Sequence, residues 1–173
     1  MTLPEFQIAS ALDMRRSMGR FTTGVAVVTS GEGDAACGMT ISSLTSISLD
    51  PAILMVSLTK GSRTTEMVDK TGRFSVSILG SRQEAVARHF ATRGGKRFAG
   101  LDCEYGPFNL PMIKDALVQA ECDVDNAHNV GDHRVVYGNV QNLRSREGSS
   151  LVFYSGKFGD FHDFGHHEMP WTY

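Results

Sequence analysis

Three stretches of the chain gather side chains able to hold a phosphate-bearing ligand. GMTISSLTSISLDP (38–51) carries six Ser/Thr residues: Thr40, Ser42, Ser43, Thr45, Ser46 and Ser48. Hydroxyls and free backbone N–H groups at a strand end can cradle an anion without formal charge. The same composition also describes a polar strand edge running into a turn before Pro51. TKGSRTT (59–65) adds Lys60, Arg63 and further hydroxyls, and a helix opening near Ser62 would bring the positive end of its dipole. GDHRVVYG (131–138) sets His133 where a strand begins, beside Asp132. Such an imidazole can donate to a ligand amide or phosphate, its protonation tuned by the neighbouring carboxylate. The structural alternative is a surface turn in which Asp132 and His133 only orient each other.

Other chemistry-bearing patterns lead nowhere. Gly31-x-Gly33-x-x-Ala36 follows an apolar run and precedes Asp50 at about the spacing of a dinucleotide fingerprint. That motif needs a helix whose N-terminus faces the pyrophosphate. CGMTISSLTSIS has poor helix propensity, so a hairpin turn is expected instead. His162, His166 and His167 crowd the C-terminal tail. Gly165 and Pro170 interrupt it, so a solvated or subunit-contacting tail fits better than a metal site. Nothing pairs a nucleophile with a base, so hydrolase chemistry has no support.

The elements that must position these residues follow from periodicity. A helix opens at Ser10, with Asp13 in a capping-box arrangement, and ends near Gly19. VAVVTS (25–30) reads as a strand, GEGD as a turn, and 37–49 as strand followed by loop. ILMVSL (53–58) reads as a strand buried on both faces, with a short helix after Ser62. FSVSI (74–78) alternates with Phe74, Val76 and Ile78 inward. Ser81 and Glu84 form a second capping box, opening a helix to about Arg93 with Val86 and Phe90 inside. Residues 100–111 read as irregular; ECDVD, with Ala120, Cys122 and Val124 on one face, HRVVYGNV and LVFYSG complete about seven strands against three helices. No helical crossover regularly separates the strands, which predicts a mainly β, mainly antiparallel barrel with helical insertions.

Composition bounds the partners. The 173 residues carry 17 Lys/Arg against 19 Asp/Glu, a net charge of −2. That balance argues against nucleic acid and acidic membrane surfaces as partners. Nine of the basic residues, with three acids, lie at 60–100, so that segment carries +6 and the remainder −8. Small anions are what such a local field would serve. At this length roughly 70% of the extended surface is buried on folding, enough for one core and one domain. Three cysteines without CxxC spacing fit a reducing compartment. With no apolar run near the length of a membrane span and no signal-peptide pattern, a cytoplasmic location is expected.

FTTGVAVVTS, GMTISSLTSISLDPAILMVSL, GRFSVSIL, HFA with KRFAG, GDHRVVYG and LVFYSGKF occur in the order seen in the flavin reductase-like family. The resemblance spans about residues 14–158, with a tail at 159–173. It is closest to the NAD(P)H:flavin reductase components of styrene- and phenol-type two-component monooxygenases. It implies an FMN-binding split β-barrel of Greek-key type, a homodimer, and FAD or FMN held at the subunit interface. NADH, with NADPH possible, would supply the hydride, and reduced flavin would pass to a transient partner monooxygenase. By position, the resemblance places Thr22, Thr23 and Gly24 near the flavin ring. Met39, Thr40, Ile41 and Ser42 would follow its edge, with Ser43, Ser46 and Ser48 towards the ribityl chain and phosphate. Ser57, Lys60, Ser62 and Arg63 would complete the phosphate end, and His133 would contact the dinucleotide. Phe90, Arg97, Phe98 and Tyr154 would border the ring or the nicotinamide cleft. Family members often have Asn where this chain has Ser42, and a second proline where it has Ala52. Two other readings suit such a barrel: a non-catalytic flavin carrier, and an oxidase of the pyridoxamine-phosphate type.

Overall fold

Short β-branched runs separated by glycine-marked turns build one large sheet and two small ones. A computed structural model describes residues 5–92, 98 and 100–165. In chain order the elements are α1 (Ala11–Met18), β1 (Thr23–Gly24), β2 (Ala26–Ser30), β3 (Cys37–Ile41), β4 (Thr45–Leu49) and β5 (Ala52–Thr59). Then come α2 (Arg63–Thr71), β6 (Arg73–Ile78), α3 (Glu84–Ala91), β7 (Cys103–Tyr105) and β8 (Pro111–Ile113). β9 (Val118–Val130), β10 (His133–Ser145), β11 (Leu151–Tyr154) and β12 (Lys157–Asp160) complete the described residues. Seven strands run β3-β2-β6-β9-β10-β5-β4; β1-β11-β12 and β7-β8 form the smaller sheets. Every ladder is antiparallel.

The large sheet wraps a core drawn from strands far apart in its order: Ala26, Val28, Ile41, Val56, Leu58, Phe74, Val76, Cys122 and Val136, with Val68 of α2. Its edges β3 and β4 do not pair with each other, so the barrel is not closed. A second cluster, including Val25, Val27, Leu79, Ala87, Phe90 and Leu151, packs α3 against the other face.

Several expectations hold in detail. Ser10 caps α1 by accepting from Asp13 N–H at 3.1 Å. Gly31 and Gly33 take positive φ at the β2–β3 hairpin, the turn expected there in place of a dinucleotide-binding helix. Cys37 and Cys122 are buried; burial first, then Asp123 and Glu121, push the Cys122 thiol up to about 12.

Others are corrected. The described residues form twelve strands rather than seven. Residues 45–49, read as loop, form the edge strand β4, with a bulge between Ser46 and Ser48. In β5 only Val56 and Leu58 are buried, because this strand lies next to that edge and one of its faces has no covering layer among the described residues. β7 lies within the stretch read as irregular. In β6 the supposedly outward serines are buried as well: Ser75 Oγ donates to Pro111 O at 3.1 Å and Ser77 Oγ accepts from Ile113 N–H at 3.0 Å. The covering β8 satisfies them, which a period-two pattern cannot reveal. Glu121 is likewise buried in β9, accepting from Phe108 N–H and the Asn142 amide, each at 3.0 Å. The Ser81–Glu84 capping box does not form. Gln83 reaches back to Gly80 N–H at 2.9 Å, closing a 3-10 turn, and α3 starts only at Glu84.

Candidate functional site

The unclosed seam of the sheet is a groove. Residues 39–43, together with Ser57, Thr59 and His133, line a cavity of about 200 Å³. One wall is β3, which among the described residues pairs only with β2, from Ala26↔Ile41 to Ser30↔Cys37. As an edge strand it turns alternate backbone N–H and C=O groups away from that ladder. The other wall comes from β5 and β10, where Thr59 pairs with His133 and Ser57 with Val135. Paired residues share a face, and residues two apart do too. Ser57, Thr59 and His133 therefore line one wall together.

His133 Nδ1 lies 2.8 Å from Asp132 Oδ1. That contact occupies one ring nitrogen and leaves Nε2 for a ligand. The hydrogen bond from His133 comes first among the causes that lower the Asp132 carboxyl below its ordinary range; its own backbone and the imidazole charge add to it. Lys60 N–H donates to Asp132 O at 3.1 Å, tying the 59–61 turn to the histidine turn.

The hydroxyls divide by what they already hold. Thr40 Oγ1 donates to Ala87 O at 2.7 Å. Ser43 Oγ donates to Ser57 O at 2.9 Å and accepts from Ser57 N–H at 3.0 Å. Ser62 caps α2, accepting from Thr65 N–H at 3.1 Å, and also lies 4.0 Å from Met39 Sδ. The Ser62 hydroxyl thus serves the helix, whose N-terminus it directs to the β3 side of the groove. Ser62→Ala will lower stability by about 1 kcal/mol, the usual worth of such a cap, read as a lower urea midpoint at unchanged slope. Ser42 is exposed and Thr59 projects from the end of β5. Lys60 and Arg63 are exposed and form no ion pair among the described residues, unlike Arg73 with Asp123 and Arg88 with Glu84.

Thr22, Thr23 and Gly24 leave the sheet at the Ala26↔Ile41 end, beside the exit of Ser42. Thr23 Oγ1 is buried with no hydrogen-bond partner among the described residues, and a Cβ added to Gly24 would meet none of them within 4 Å. Tyr154, exposed, continues the ladder in which Thr23 pairs with Phe153.

Some expected residues stand elsewhere. Ser46 and Ser48 lie on β4, beyond β5, and do not line the groove, because that segment pairs as a strand instead of curling back as a loop. Phe90 is 2% exposed, its ring 5.3 Å from that of half-buried Phe98, inside the second core. It lies behind β3, not beside an open ring site, because α3 turns its apolar face inward. Arg97, His166 and His167 lie outside the described residues. Thr59 is the groove residue that pattern reading passed over; its two-residue spacing from Ser57 was the available signal.

A free strand edge thus shares a groove with an imidazole and several hydroxyls, and the exposed Lys60 and Arg63 follow Thr59 in the chain. The orphaned Thr23 hydroxyl and the open space at Gly24 fit a flavin. The chain belongs to the flavin reductase-like domain family, whose model matches residues 18–162. It is 36% identical over 147 residues to the FMN reductase (NADH) SmoA of Agrobacterium fabrum, covering 85% of this chain and 84% of that protein. Nitrilotriacetate monooxygenase component B from Mycobacterium thermoresistibile superposes with a TM-score of 0.86 at 32% identity, covering 95% of each chain. The Streptomyces globisporus NADH:FAD oxidoreductase SgcE6, solved in complex with NAD and FAD fragments, gives 0.85 at 31%, covering 90% and 94%.

Proposed function

We propose that the seam groove is where flavin and nicotinamide dinucleotide meet, and that a second copy of the chain completes it. The chain is an NADH-dependent flavin reductase supplying reduced flavin, FAD or FMN, to a monooxygenase component. The observation carrying the site assignment is the unpaired edge of β3 facing His133 across the groove.

When bound, the flavin accepts hydride from the nicotinamide. The chain's part is to place the two rings and exclude water, which needs no nucleophile. Backbone N–H groups of Thr40 and Ser42, on the side of β3 turned away from β2, would donate to the flavin edge, where negative charge develops. Ser42 adds one donor, and Thr23 Oγ1 satisfies its hydrogen bond on the ligand. Lys60, Arg63 and the N-terminus of α2 face the phosphate end. His133, held by Asp132, donates from Nε2 to the dinucleotide and fixes its position.

A groove of about 200 Å³ is smaller than the roughly 300–1,000 Å³ usual for cofactor sites. α1 buries none of its residues, leaving Leu12, Met14 and Met18 exposed, and Ile47, Leu49 and Val130 are exposed on the sheet. These apolar surfaces support a homodimer with the flavin at the interface of two split barrels, each a single domain. Free cysteines suit the cytoplasm.

Loss of NADH absorbance with added FAD or FMN tests the activity. Turnover rising with flavin concentration is expected, and no consumption with NADH or NADPH would overturn the reading. A yellow protein without turnover would indicate the carrier instead. Light scattering should give twice the 18.9 kDa chain mass; a monomer at working concentrations would sink the dimer.

A further inference from the structure

We propose that Ser43 and Thr40 set the width of the seam as positioning residues, not as ligand contacts; this rests on the groove being the flavin site. β3 ends at Ile41 and β4 begins at Thr45, so no ladder joins the intervening chain to β5. The Ser43 hydroxyl supplies the missing link. It donates a hydrogen bond to Ser57 O and accepts one from Ser57 N–H, at 2.9 and 3.0 Å. One side chain thereby stands in for a paired strand residue, which would exchange the same two bonds.

On its other side β3 is braced by α3. Thr40 Oγ1 donates to Ala87 O at 2.7 Å, and Gly38 lets Phe90 lie so close that an added Cβ would come within 3.0 Å of its ring. A hydroxyl has one proton to give, and both residues give theirs to backbone carbonyls. Neither can then donate to a ligand without breaking a brace.

The consequence is geometric. Ser57 shares β5 with Thr59, which pairs with His133. Ser43 therefore ties the wall that receives the flavin edge to the wall that holds the dinucleotide. Hydride transfer needs reacting atoms at roughly 3–3.5 Å. A small change in seam width will slow transfer while leaving the flavin's own contacts in place.

Ser43→Ala and Thr40→Val, with Ser43→Thr and Thr40→Ser as rescues, test this in the full-length protein. Single-turnover reduction at saturating NADH and flavin is expected to slow about fivefold in the first pair. Flavin Kd should stay within twofold, and the rescue variants should recover the rate. An unchanged rate, whatever happens to Tm, overturns the inference. A weaker flavin Kd with a normal saturated rate also overturns it, because that marks a direct ligand contact. If Ser43→Ala does not fold, Thr40→Val and its rescue decide alone. Wild-type protein inert with every flavin would instead defeat the assignment of the groove.

Discussion

Gly138→Ala will cost about 3 kcal/mol of stability, the top of the usual range for overpacking a core. At this chain length that lowers Tm by roughly 6–12 °C. Gly138 is buried in β10, opposite Leu54 of β5 and Val124 of β9. An added Cβ would come within 2.4 Å of Phe74 Cζ and 2.9 Å of Cys122 Cβ. Neither neighbour can give way. Phe74 and Cys122 are both fully buried and packed in the core that the large sheet wraps. The register shift after Tyr137 leaves β10 nowhere to slide, since Gly138 already sits where the β9 ladder changes step. Gly159→Ala is the control: its nearest new contact is Val152 Cγ2 at an ordinary 3.7 Å, so it should stay within about 0.5 kcal/mol of wild type. Phe74→Leu in the Gly138→Ala background should return part of the loss, because the ring edge is what collides. Thermal unfolding of the four proteins checks all of this, and a Gly138→Ala Tm within about 2 °C of wild type, roughly the scatter of surface substitutions, would refute it.

How far the sequence alone reached depends on whether a signal was local. Caps such as Ser10 and Ser62 were legible because the capping residue and its N–H lie three positions apart. The hairpin after Ser30 was legible because its glycines need positive φ and no helix-forming run follows. Long-range partners were invisible. Ser75 and Ser77 look outward until β8, more than thirty residues on, covers them with Pro111 O and Ile113 N–H. Residues 45–49 look like loop until β5 arrives to pair with them. The site followed the same division. His133 and residues 39–43 could be named from composition and resemblance, and the seam brings them together. Which hydroxyls are already spent could not be named. Ser43 and Thr40 read as ligand donors in sequence, yet their protons go to Ser57 O and Ala87 O. The charge count behaved likewise: +6 over 60–100 pointed to small anions, but several of those cations are committed, Arg73 to Asp123 and Arg88 to Glu84. Lys60 and Arg63, on either side of the Ser62 cap, form no ion pair among the described residues.

His133→Ala will raise KM for NADH by roughly 10- to 100-fold, the worth of a lost hydrogen bond to a charged or strongly polar group, with flavin affinity within twofold. The split follows from where the residue sits. His133 rises from β10 on the wall opposite the β3 edge, so its removal leaves the backbone groups that receive the flavin untouched. Its Nδ1 is engaged by Asp132 at 2.8 Å, so only Nε2 can reach a ligand, and that contact is one of position. Asp132→Asn keeps an acceptor for the imidazole but removes the negative charge. It should shift KM in the same direction by only a few-fold, since an exposed pair is weakly coupled. The pH dependence has a definite sign as well. The Asp132 carboxyl is held below its ordinary range by His133, so its orienting contact is complete above the carboxyl's ordinary pKa. That contact is lost as pH falls through the depressed value, and KM for NADH should rise there in wild type but not in His133→Ala. Steady-state kinetics against NADH at fixed excess flavin, beside flavin binding followed by fluorescence, separates the possibilities. A His133→Ala protein that loses flavin affinity while keeping its KM for NADH would move the histidine to the flavin side of the seam and reverse the assignment of the two walls.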